Sequence, residues 1–300
     1  MPTIAVLDAP SNLGLRPPAP GTVPGCAKAP GALRDAGLLS RLGARDAGCL
    51  VPPRYDRGDW QEGDGVFHAP LIAGYARRLA DRVDAIHERG ELPLVLGGEC
   101  SIALGPMLAL RRRSGRYGLA YVDGHSDFRH PGNSDRVGAA GGEALALVTG
   151  RGQPDLTDLD GLRPLVADAD AVLLGMGPED ESDVTELSTT DIGVRTAQDI
   201  RRLGAGVVAD WARDRFAGLA GFWIHLDVDT LDASLMPAVD SPNPAGLTAA
   251  ELTELLAGLL RDPGCLGLDV GIYDPDLDPD GRCAALLTDI LVAALDSPTG

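Results

Sequence analysis

The residues of this chain best suited to chemistry fall in three short stretches. VDGHSDF (122–128) sets Asp123, His125 and Asp127 two apart, and FWIHLDVD (222–229) ends in Asp227 and Asp229, again two apart. Both follow apolar runs that read as strands, and at period two alternate side chains of extended chain project the same way. Four carboxylates and an imidazole gathered in one crevice repel one another and are costly to desolvate without a cation. An oxygen-rich set with few imidazoles suits Mn²⁺ and also Zn²⁺. A lone Asp-x-His-x-Asp reads equally well as a capping loop, and the second Asp-x-Asp tips the reading to metal. The third stretch, LGGECS (96–101), places Glu99 and Cys100 where a strand should turn into a helix. There Cys100 can be a small core residue, a nucleophile or a metal ligand.

The elements that must position these groups are legible as apolar runs. TIAVLD (3–8), LPLVL (92–96), LAYVD (119–123), AVLLG (171–175), FWIHLDVD (222–229) and CLGLDVGIY (265–273) read as strands buried on both faces. Helical patterns lie between and after them, at 29–43, 69–90, 248–262 and 281–295, the last two with a Leu/Ala stripe at three- and four-residue spacing. Such alternation predicts a mostly parallel sheet flanked by helices, with its functional crevice at the carboxyl ends of the strands. The Pro/Gly-rich segment 10–30 and the stretch 51–67 read as surface loops. No repeat or linker divides the chain, so 1–300 reads as one domain.

The balance of 26 Lys+Arg against 44 Asp+Glu, a net −18, argues against nucleic acid or an anionic membrane as partner. The excess acid reads first as serving solubility, and it could also concentrate a small, cationic substrate or a metal. Five scattered cysteines form no disulfide framework, which points to a reducing compartment. No apolar stretch approaches the ~20 residues of a membrane helix, and the N-terminus lacks a basic n-region. A cytoplasmic location is the expectation.

VDGHSDF, HLDVDTLDASLMPAVDSPNPAGLT (225–248) and LGGECS resemble the signature blocks of the arginase/agmatinase (ureohydrolase) family, which run GGDHS, DAHxD and SxDxDxxDP…GTPxxGGLT. GCAKAPGALRDAGLLSRL (25–42) is similar to its opening helix, GPxxLRxAGLL. The resemblance implies a three-layer α/β/α fold around a mostly parallel sheet of about eight strands, of the arginase/deacetylase-like kind. It also implies a homo-oligomer, a trimer or hexamer. The implied chemistry is hydrolysis of a linear C–N bond in a guanidino, amidino or related small molecule, by a hydroxide bridging two Mn²⁺ ions. Carried over by position, Asp123 and Asp227 would bridge the ions. His125 and Asp229 would complete one site, and Cys100 and Asp127 the other. Asp127 would also orient the attacking hydroxide.

Three departures from that pattern bear on the substrate. Cys100 replaces the first-site imidazole, and a thiolate shifts preference toward Zn²⁺ or Fe²⁺; relatives that act on N-hydroxyarginine are similar in carrying Cys here. Of the five histidines, only His125 lies at a matching ligand position, so none of the others substitutes by sequence. Gly141 stands where the family has a proton-shuttling His, and Ile272 where it has the glutamate that holds a guanidinium. Asp240, beside Ser241, and Glu143 are candidates to supply the missing carboxylate. Asp180 falls near the position that meets a substrate α-amino group, and Arg129 and His130 near its polar end. Two further readings stand beside the two-metal hydrolase: a deacetylase-like amidohydrolase with one zinc on Asp123, His125 and Asp227, and an inactive metabolite-binding or partner subunit.

Overall fold

The computed structural model describes residues 2–56, 58–178 and 185–296. Eight strands form one sheet in the order β2-β1-β3-β8-β7-β4-β5-β6, and every pairing is parallel. Their ranges are β1 Ile4–Ala9, β2 Arg45–Cys49, β3 Leu92–Gly97, β4 Gly118–Val122, β5 Ala171–Leu174, β6 Gly193–Arg195, β7 Phe222–Asp227 and β8 Cys265–Gly271. The last two strands slot between β3 and β4, so the four central strands are β3, β8, β7 and β4. In β3, β4 and β7 every residue is buried, as expected of strands covered on both faces.

Helices cover the two faces as separate layers, giving the expected α/β/α sandwich. In one layer Ala69–His87 packs on Leu104–Arg111. In the other, Ala249–Leu260 packs against Ala205–Phe216 and Arg282–Leu295. Thr248 and Glu251 start the helix at 249 with a reciprocal capping box, satisfying backbone N–H groups that a helix start leaves free. The helical pattern at 29–43 is two helices, Ala29–Asp35 and Leu38–Arg41, because Gly37 turns left-handed (φ 85°) between them. No helix among the described residues is long and apolar enough to cross a membrane.

Two strand ends and one loop differ from the sequence reading. β7 stops at Asp227 and tightens into a short 3₁₀ turn, Val228–Thr230. β8 stops at Gly271, and Ile272 then takes a positive φ of 74°, a genuine outlier for a β-branched residue. The start of segment 10–30 is not a surface loop: Ser11, Asn12 and Leu13 are buried, and the chain there runs against the carboxyl end of β3. A Cβ on Gly98 would stand 2.0 Å from the Ser11 carbonyl oxygen, so only glycine permits that approach.

Candidate metal centre

Three strand ends converge on one point. At the end of β3, Glu99 is fully buried, and its carboxylate accepts from the Ser101 amide (2.9 Å), the Ser101 hydroxyl (2.7 Å) and the Ser11 hydroxyl (3.1 Å). This capping holds the 3₁₀ turn Cys100–Ala103 and turns Cys100 toward the centre of the sheet. At the end of β4, the His125 amide donates to Asp123 Oδ1 (2.6 Å), and the Tyr121 hydroxyl donates to Asp127 Oδ2 (2.6 Å). Asp127 itself sits at a positive φ of 45°. At the end of β7, the Asp229 amide donates to Asp227 Oδ1 (2.8 Å). The two loops are then tied together: Gly124 N–H donates to Asp229 Oδ1 (3.1 Å), and His125 Nδ1 lies 2.9 Å from Asp229 Oδ2.

The potential ligand atoms form groups within 4.8 Å: Cys100 with Asp123, Asp127 and Asp227, Cys100 with Asp123 and His225, and Asp123 with His125 and Asp229. Asp123 belongs to all three, whereas Asp227 falls only in the first. The charges are mutually unfavourable. Burial first, then the neighbouring carboxylates, pushes the Asp123 and Asp227 carboxyls and the Cys100 thiol well above their usual ranges. Asp127 is raised to about 6, chiefly by desolvation. Asp123 Oδ2 is buried with no hydrogen-bond partner, a costly condition for a carboxylate oxygen. A divalent cation answers both problems at once, so the residues fit a metal. The donors are mostly oxygen, with one sulfur and two imidazoles, which suits Mn²⁺ or Zn²⁺.

Above the acids lies a cleft of about 260 Å³, at the small end of small-molecule sites. Asp240, Ser241 and Arg129 line it, together with Gly141 and Ile272. Two expected contacts are placed otherwise. Glu143 is buried behind the wall, where its Oε1 accepts from the Gly138 (2.6 Å) and Ala139 (3.1 Å) amides. It thereby braces a segment of the cleft rather than facing a ligand. His130 is buried too, its Nε2 3.1 Å from the Glu186 carboxylate. Asp180 lies outside the described residues. Sequence reasoning missed Arg16 and Arg136, which join Arg129 around the opening and carry no motif. It also missed His225, although that residue stands two before Asp227 and so continues the same period-two pattern.

A three-layer α/β/α sheet with a divalent-cation cradle at its central strand ends defines a metallohydrolase of the ureohydrolase class. The chain matches the arginase family model over residues 4–296. It is 30% identical to the arginase of Bacillus caldovelox over 260 residues, 84% of each chain, and 29% identical to human arginase-1 over 287 residues, 92% of this chain and 86% of that one. The solved structure of the Bacillus caldovelox arginase superposes with a TM-score of 0.89 at 27% identity, covering all of both chains. The chain belongs to the arginase family, whose members are metal-dependent enzymes acting on guanidino compounds.

Proposed function

We propose that the protein hydrolyses the C–N bond of a modified guanidino or amidino group on a small molecule whose far end is anionic, using two divalent ions. The observation that carries the two-ion reading is that the group around Cys100 and Asp227 and the group around His125 and Asp229 meet only at Asp123. Cys100, Asp123, Asp127 and Asp227 would hold one ion, and Asp123, His125 and Asp229 the other. Two bound ions would supply Lewis acidity and a nucleophile drawn from water at neutral pH. Asp127, with one oxygen occupied by Tyr121, keeps acceptor capacity to orient that water. The single-zinc reading on Asp123, His125 and Asp227 is less well supported: among the described residues these three do not share a group of ligand atoms. The inactive-subunit reading sits poorly with a complete set of acidic ligands.

Two features bear on the substrate. Ile272 and Gly141 line the cleft without charge, so among the described residues that line it Asp240 is the carboxylate outside the proposed ligand set that a guanidinium could pair with. Asp240 is the carboxylate at the rim. Arg16, Arg129 and Arg136 crown the opening of a chain that is otherwise strongly acidic, a setting that favours a carboxylate or similar anion. The test is a screen of guanidino, N-hydroxyguanidino, amidino and N-acyl amino acids with Mn²⁺- and Zn²⁺-loaded protein. The reading expects turnover of guanidino or amidino acids and none of their decarboxylated amines; turnover of N-acyl substrates alone would overturn it.

A further inference from the structure

His225 is wholly buried in β7, with its ring stacked on Tyr121 at 4.4 Å between centroids. Its Nδ1 lies 2.5 Å from Asp269 Oδ2, and the other oxygen of Asp269 accepts from Trp223 Nε1, also at 2.5 Å. Nδ1 is therefore the ring nitrogen engaged by a carboxylate, and Nε2 is the one left facing away from it. That Nε2 is buried without a hydrogen-bond partner, as is Asp123 Oδ2. A ring nitrogen of His225, Cys100 Sγ and an Asp123 oxygen fall within 4.8 Å of one another, and Nδ1 is the nitrogen already engaged. Two buried polar atoms without hydrogen-bond partners and a thiol thus share one buried space. A carboxylate fixing the far nitrogen of an imidazole is also how proteins orient histidine ligands and raise their basicity.

We propose that His225 is a ligand of the first metal site, its imidazole delivered from the central strand β7 near its carboxyl end to accompany the thiolate of Cys100. The inference rests on the two-ion reading above and sharpens it: a sulfur–imidazole–carboxylate donor set makes this site select Zn²⁺ over Mn²⁺. When Zn²⁺ binds, the Cys100 S–H bond breaks, a Zn–S bond forms and the proton leaves to solvent, with no change of oxidation state. Asp269 is the positioning residue, since losing it frees the ring tautomer.

The test uses the whole 300-residue chain with Zn²⁺ as the probe, and Mn²⁺ as a second ion for wild-type binding. Chelator competition on wild type, His225→Asn and Asp269→Asn should show one of two zinc sites weakened about 100-fold or more in the first variant. In the second the same site should weaken by about 10–100-fold, the size typical of lost outer-shell partners. X-ray absorption at the zinc edge of wild type holding one equivalent should show sulfur and imidazole around the same ion. This last measurement needs no variant to fold. Two zinc ions bound with unchanged affinity in folded His225→Asn, or a first zinc ligated by sulfur without imidazole, overturns the role of His225 and leaves the two-ion reading standing. A wild-type protein that binds no zinc or manganese overturns both.

Discussion

Cys100 Sγ donates a 2.9 Å hydrogen bond to Asp227 Oδ2, joining the ends of two strands separated by β8. The bond tells what the thiol is not. A buried sulfur among Asp227, Asp127 and Asp123 has its ionisation pushed up, the opposite of what an activated nucleophile requires. On the two-ion reading proposed above, a bound cation would make it a ligand, and Cys100 would set which metal the site prefers.

Replacing that sulfur tests the preference. Cys100→His should move the first site toward Mn²⁺, and Cys100→Ala should weaken Zn²⁺ there. With equimolar Mn²⁺ and Zn²⁺, mass spectrometry of the intact protein should show the Zn:Mn ratio falling about tenfold or more in Cys100→His, equivalent to about 1.4 kcal/mol. An unchanged ratio would mean that the thiol does not touch the ion.

Asp123 has an unpartnered buried oxygen and three carboxylates as neighbours. Removing its charge should relieve the metal-free protein. In chelator, Asp123→Asn is expected to gain about 1–3 kcal/mol, read as a Tm a few degrees above wild type. With Zn²⁺ or Mn²⁺ the order should reverse, because the residue common to both ligand groups is lost. A variant less stable than wild type in chelator would contradict the electrostatic account.

Glu143 gives a pH signature independent of the metal. Burial raises its carboxyl to about 7, against the lowering effect of the Gly138 and Ala139 amides. The folded state therefore keeps a proton that the unfolded chain releases near 4.5. Its stabilising effect is present below that pH and is lost as pH rises through about 7. The stability difference between wild type and Glu143→Gln should change by on the order of 3 kcal/mol between pH 4.5 and 8, with the variant favoured at the alkaline end. Parallel pH profiles would place the titration elsewhere.

Arg129 lines the cleft outside the acidic floor. Arg129→Ala should raise KM for an acidic substrate about 10–100-fold, as for loss of a charge-assisted contact, with a smaller change in kcat. An equal loss on substrates with and without the anion would show that Arg129 supports the cleft and not the ligand.

Much of the fold was legible because the central strands are buried on both faces and read as unbroken apolar runs. The two edge strands were not. β2 (Arg45–Cys49) is polar and largely solvent-facing, held by ion pairs such as Arg34–Asp46, and β6 spans only three residues. Neither presents an apolar pattern to find. The clustering of the acids was legible from their period of two, since Asp123, Asp127, Asp227 and Asp229 need only the strand ends to meet. The outer cleft was not, because Arg16 arrives on a segment whose buried path depends on Gly98 and Glu99 more than eighty positions away. His225 was overlooked because it sits inside a strand, where a histidine reads as core; only the tertiary pairing with Asp269 aims its free nitrogen at Cys100.

Metal stoichiometry tests the central claim most directly. The purified chain, stripped and reloaded with Mn²⁺ or Zn²⁺, should hold two ions by native mass spectrometry, and Asp227→Asn should lose one while Asp123→Asn loses both or nearly so. A single ion in wild type that persists in Asp227→Asn would contradict the two-ion site on which the proposed chemistry depends.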